Sequence, residues 1–95
     1  MTYKLTFKKQ AKKEWDKLDA FIQNLLKKKL KERLKDPRVK RAELSNMKDC
    51  YKIKLRNSGY RLVYKVYDLT IEVSVIAVSK RDKGLVYRIA ADRLQ

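Results

Sequence analysis

Histidine is absent from this chain of 95 residues, and that absence removes the usual imidazole acid–base pair and any histidine metal site. Cysteine occurs once, at Cys50, so no intrachain disulfide can form and nothing points to an oxidising compartment. A lone thiol without a histidine has no partner for nucleophilic work, and Cys50 reads as inert. One Cys and scattered carboxylates offer no ligand cluster, so neither a metal nor a cofactor is expected. Proline occurs once and glycine twice, which argues against disorder. No apolar run approaches membrane-spanning length, and the opening MTYKLTFKKQAKKEW lacks the apolar stretch of a signal peptide. A soluble, cytoplasmic protein is expected. Acidic side chains are scarce: 11 stand against 26 Lys and Arg, a formal net charge of +15. That imbalance predicts an anionic partner and a free protein strained by its own repulsion. A membrane surface fits poorly, because the basic residues occur on strands and turns as well as helices.

What is present suffices for one domain, residues 1–95, with a hydrophobic fraction of 44%. Tyr3, Leu5 and Phe7 alternate with polar residues and predict a short strand. Ala11, Trp15 and Leu18 at helical spacing predict a first helix from about Lys8 to Leu18. Asp19 is a good cap for a second helix, with Phe21, Ile22, Leu25, Leu26, Leu30 and Leu34 on one apolar stripe. Pro37 ends it. Residues Arg38 to Asp49 read as a loop anchored by Val39, Leu44 and Met47. Strands are expected at about Cys50 to Arg56, Tyr60 to Tyr67 and Ile71 to Ser79. Asn57-Ser58-Gly59 and Asp68-Leu69-Thr70 join them as hairpin turns. Asp82 could cap a final helix through Leu94, with Leu85, Val86, Ile89 and Ala90 inward. The order β-α-α-β-β-β-α predicts an α+β domain, a mainly antiparallel sheet covered on one face by a helical hairpin.

The segment YKIKLRNSGYR, Tyr51 to Arg61, concentrates the chemistry. With a period of two, Tyr51, Ile53 and Leu55 enter a core while Lys52, Lys54 and Arg56 form a cationic row on the other face. A fixed row of positive charge is costly unless an anion sits on it, and a nucleic-acid phosphate is the natural guest. Register decides where Arg61 points, since a slip of one residue reverses the faces. The expected register places Arg56 opposite Arg61 and Lys54 opposite Val63, which keeps Arg61 with the lysines. Parity does not place Arg81.

These residues resemble a known family. CYKIKLRNSGYRLVYKV, then SKRDKGLVY, with KKEWDKL and the LKKKL helix in support, are similar to RelE-type toxins of bacterial toxin–antitoxin pairs. Such toxins are endoribonucleases that cut mRNA in the A site of the 70S ribosome. The resemblance implies a microbial-ribonuclease-like fold, with RNA on the sheet face opposite the helical hairpin. It implies a catalytic set of Lys52, Lys54, Arg61, Arg81 and Tyr87, with RNA held by Lys52, Lys54, Arg56, Arg61, Lys80 and Arg81. It also implies a RelB-like antitoxin that wraps the toxin, and a toxin–antitoxin complex that binds its own operator DNA. One departure is Ser45, where close relatives carry an arginine that is thought to help hold RNA.

Metal-free RNA cleavage uses the ribose 2′-OH as nucleophile and leaves a 2′,3′-cyclic phosphate. The 2′-OH proton must leave, the phosphorane charge must be stabilised, and the 5′-oxygen must depart. Tyr87 is the candidate base. A free phenol titrates near 10, so only about one in a thousand is ionised at neutral pH, and nearby cations favour the phenolate. Lys54 is the reserve base, because crowded cations lower a lysine's own proton affinity. Arg61 suits a bidentate grip on phosphate oxygens. Arg81 suits charge stabilisation at the leaving side, since arginine rarely gives up its proton. General acid–base groups typically contribute about 10²- to 10⁴-fold each, so this set needs a substrate positioned by something else.

Plainer readings stand beside these. Lys52, Lys54 and Arg56 taken alone read as a solvated strand face, Arg81 as a helix-entry charge, and Tyr87 as packing on a terminal helix. Lys27, Lys28, Lys29 and Lys31 read as the wet side of the second helix, and Tyr60, Tyr64 and Tyr67 as half-buried strand residues. Two other functions compete: a same-fold toxin that binds a protein such as DNA gyrase, and a simple RNA-binding module. The full set of five favours the nuclease.

Overall fold

Alternating apolar residues make strands of the middle of the chain, and a stripe at helical spacing makes the long helix beside them. The computed structural model describes residues 2–80 and 84–94. Its elements are β1 (Lys4–Phe7), α1 (Lys9–Asp16), α2 (Ala20–Lys35), β2 (Cys50–Lys54), β3 (Tyr60–Tyr67), β4 (Glu72–Lys80) and α3 (Leu85–Arg93). The sheet runs β1-β4-β3-β2, with β1 parallel to β4 and the other neighbours antiparallel. This is the α+β order that the sequence predicts.

The helices differ from expectation at their ends and at one residue of the apolar stripe. Lys8 is extended and donates its N–H to the Val75 carbonyl, so α1 starts one residue late. Asp19 caps α2 by accepting from the Ile22 N–H at 3.0 Å. Ile22, Leu26 and Leu30 fill the buried line of α2 and Leu25 and Leu34 flank it, but Phe21 is 68% exposed and lies off the expected stripe. The loop before β2 holds a short 3-10 turn, Lys40–Ala42, and a bridge from Glu43 to Tyr51. The final helix is preceded by Gly84 in the left-handed region (φ 81), without a side-chain cap; the cap expected at Asp82 lies outside the described residues.

Register is the main correction. Lys54 lies opposite Arg61 and Lys52 opposite Val63, two residues from the expected pairing. The turn is longer than Asn57-Ser58-Gly59, because β2 ends at Lys54. Gly59 takes a positive φ of 78° and donates to the Leu55 carbonyl at 2.9 Å, while Leu55 donates to Tyr60. A shift of two residues preserves every face, so Arg61 still stands with the lysines.

The sheet has a core on each side. Helices α1 and α2 cover Tyr51, Ile53, Leu62, Tyr64, Val66, Val73 and Val75. On the opposite face α3 packs Val86 and Ala90 against Cys50, Val63, Ile76 and Ala77. Between Val63↔Ala77 and Tyr64↔Val75 the register shifts and leaves Ile76 unmatched in β4. That bulge turns Val75 to the helical hairpin and Ile76 to α3. Beyond Phe7, β1 no longer pairs with β4, and a distant ion pair takes over the open edge. Arg93 donates to the Ile76 carbonyl at 2.9 Å, Glu14 accepts from the Val78 N–H at 3.1 Å, and the two side chains meet at 2.8 Å.

Candidate active site

Helix α3 covers only part of its sheet face, and the cations occupy the uncovered end. Strand β2 buries Tyr51 and Ile53 against the hairpin, which sends Lys52 and Lys54 to the other side. Arg61 enters the same face directly opposite Lys54. Like charges facing each other across strands oppose folding, so this arrangement has no structural purpose. It costs Lys54 proton affinity: Lys52 first, then Arg61, then slight burial and Arg56 all hold its ammonium below the ordinary lysine value. Lys54, Leu55, Arg56, Gly59 and Arg61 line a depression of about 230 Å³ that contains no carboxylate.

Tyr87 approaches from α3, one turn after Gly84. The Arg61 guanidinium carbon stands 6.0 Å from the Tyr87 ring centroid, so helix and strand bring these two residues together. The Tyr87 hydroxyl is buried without a hydrogen-bond partner among the described residues. It makes no hydrogen bond to Lys52 or Lys54. Lys80 does not join the row. It pairs with Tyr60 across the strands, with its ammonium 5.9 Å from the Tyr60 ring, while Ser79 faces Arg61. Arg56 stands exposed in the turn at the edge of the row. Arg81 lies outside the described residues. Ser45 is exposed in the loop before β2 and adds no charge. Burial pushes the Cys50 thiol up, away from its reactive form.

Sequence reasoning missed the residues that hold this face rigid. Arg33 on α2 donates to the Lys52 carbonyl at 3.1 Å and to the Tyr64 hydroxyl at 2.9 Å, bracing β2 from the helical side. Tyr64 in turn donates to the Pro37 carbonyl at 2.7 Å, and burial raises its pKa. Arg38 joins Asp49, Asp68 and the Tyr51 hydroxyl. Both arginines look like surface charge in the sequence; nothing local marks their partners, which lie up to 31 residues away. Among the described residues no group of three His, Cys, Asp or Glu side chains could hold a metal ion.

A family model described as the ParE toxin of type II toxin–antitoxin system, parDE, matches residues 5–85. The mRNA interferase toxin RelE of Escherichia coli K12 is 51% identical over 94 residues, 99% of each chain. The chain belongs to the RelE–ParE family of toxins. A free-state structure of a mutant E. coli RelE covers 100% of both chains at 49% identity, with a TM-score of 0.91. RelE in the intact E. coli RelBE toxin–antitoxin complex matches with a TM-score of 0.82 and 52% identity, covering 85% of this chain and 99% of that one. Family membership thus agrees with the RelE-type resemblance of the sequence.

Proposed function

We propose that this RelE-family protein is the toxin of a type II toxin–antitoxin system and an endoribonuclease that cleaves mRNA. The observation that carries the chemistry is the pairing of Lys54 with Arg61, with Lys52 alongside, in a depression without carboxylates. Two relatives at 51% identity are named mRNA interferases, which supports the nuclease over a toxin that binds gyrase.

Lys54 is the better base on this geometry. It is exposed, and its neighbours raise the fraction of free amine at neutral pH. The amine takes the 2′-OH proton, the 2′-oxygen bonds to phosphorus, and the bond from phosphorus to the 5′-oxygen breaks. The departing 5′-oxygen takes a proton from solvent water, so the products are a 2′,3′-cyclic phosphate and a 5′-hydroxyl end. Arg61 grips the non-bridging oxygens as charge builds, and Lys52 both attracts the phosphate and depresses Lys54. Tyr87 forms the wall behind Arg61. The family resemblance gives Arg81 the leaving side. Arg56 guides the strand at the rim, and Lys80, on the other face, has at most an electrostatic part.

A RelB-like antitoxin is the partner, as in the E. coli complex. The finer proposals are that the ribosomal A site supplies the missing orientation, worth roughly 7–11 kcal/mol, and that the toxin–antitoxin complex binds its operator. No described helix is long and apolar enough to cross a membrane. The test is induction of the protein followed by mapping of messenger 5′ ends within occupied codons. Lys54→Ala, Arg61→Ala and Arg81→Ala should each remove most cleavage while leaving ribosome binding nearly intact. Intact messenger with arrested supercoiling would instead establish the gyrase reading.

A further inference from the structure

Phe21 is the large hydrophobic side chain that the fold leaves stranded beside the cationic row. It is the second residue of α2, one position off the buried line of Ile22, Leu26 and Leu30, and is 68% exposed. With Leu25 and Leu55 it forms the apolar floor of a groove of about 510 Å³, whose rim carries Lys29, Lys54 and Arg56. Asn57 and Ser58 close one side. This groove shares Lys54, Leu55 and Arg56 with the depression that contains Arg61, so the two adjoin at the end of β2.

We infer that this groove is a nucleobase subsite, in which one unpaired base of the bound messenger strand stacks on Phe21 while its phosphates follow Lys54 and Arg56. The inference rests on the RNA-cleaving function and adds a specificity-determining contact to it. Three features favour a base. An exposed aromatic ring offers a stacking face, which single-stranded RNA readers use with little sequence demand. The rim carries three cations and no carboxylate, matching a phosphate backbone on either side of the base. Asn57 and Ser58 supply donors and acceptors for a base edge. The size also discriminates. An amphipathic peptide helix needs anchors spread over two turns, whereas this floor consists of three side chains at one corner.

The test measures binding of a 2′-O-methylated, uncleavable single-stranded oligoribonucleotide to the full chain at fixed salt. Phe21→Ala and Phe21→Leu should each weaken Kd by roughly 5- to 150-fold, the span of one lost base–aromatic stack. Phe21→Trp should keep the wild-type Kd or improve it. An abasic residue at one position of the oligonucleotide should weaken wild-type binding similarly and leave Phe21→Ala unaffected. In cleavage, Phe21→Ala should raise KM and leave kcat nearly unchanged. Because Phe21 is exposed, these variants should melt with the wild type. Equal affinity of wild type and Phe21→Ala would overturn the subsite, as would Phe21→Leu binding as tightly as Phe21→Trp. Loss of antitoxin capture by Phe21→Ala, with RNA binding intact, would assign the groove to protein and overturn it too. A wild type that neither binds RNA nor cuts messenger removes the nuclease reading and the subsite together; one that cuts with a KM unchanged by Phe21→Ala removes the subsite alone.

Discussion

Lys54 and Tyr87 carry opposite kinds of tension at the same face. Lys54 is a solvent-exposed cation crowded by cations, whereas the Tyr87 hydroxyl is shut away without a partner among the described residues. A buried hydroxyl left unpaired costs about 1–3 kcal/mol. Tyr87→Phe should therefore raise the unfolding free energy by about 1 kcal/mol or more in a denaturant titration. A loss of stability would mean that the hydroxyl has a partner in solution. For Lys54 the sign is set by Lys52, the largest influence on it. Lys52→Met should move the lysine back toward its ordinary value, so the rise of cleavage with pH should shift to higher pH. The same depression bears on stability. Between the lowered folded value and the ordinary one, the unfolded chain holds more protons, and the fold gains stability as pH rises. Lys52→Met should flatten that gain, which melting curves across the alkaline range would show. Lys52 and Lys54 were legible as a pair because strand parity is a local property, whereas Arg61 joined them only through a choice of register. The hidden Tyr87 hydroxyl was not, since it depends on how α3 sits on the sheet.

At the scale of elements, the end of β4 that β1 is too short to reach leaves a stretch of open strand edge. Unpaired strand edges invite other strands, and here Glu14 and Arg93 take over the backbone groups that β1 is too short to reach. Both side chains are largely buried, with 28% and 16% of their surface exposed. Arg93→Ala should leave the Glu14 carboxylate and the Ile76 carbonyl short of partners, at a cost of about 1–3 kcal/mol. Hydrogen exchange should then quicken in α3 and in residues 76–80 before the rest of the sheet. Uniform acceleration would show that the pair does not tie these elements together. The helix starts and strand order could be read from the sequence: Asp19 announces α2, and Pro37 ends it. The length of the β2–β3 turn could not, because Gly59 supports either a short turn or the longer one that closes on Leu55. That choice moved the register by two residues and spared every face.

Over the whole molecule, +15 charges on 95 residues make self-repulsion a standing load on the fold. Anions should relieve it. Added salt should raise the melting temperature of the free protein, although it weakens the bound state. Affinity for single-stranded RNA should fall by about 0.7 log units per tenfold salt for each phosphate neutralised. A slope near zero would separate the basic face from RNA altogether. An antitoxin should stabilise the toxin by mass action in addition, while covering the charge that RNA requires.

Composition and periodicity alone decided that this chain is a basic α+β domain, and that Lys52 and Lys54 share one face of its sheet; the strand register then set Arg61 beside them. Composition and periodicity are short-range properties, set by neighbours two to four residues apart. Tertiary structure alone decided the pairing of Lys54 with Arg61, the approach of Tyr87, and the isolation of Phe21. It also chose Glu14 and Arg93, 79 residues apart, to close an edge. No periodicity connects such residues; only the packing of helices onto a twisted sheet brings them within reach.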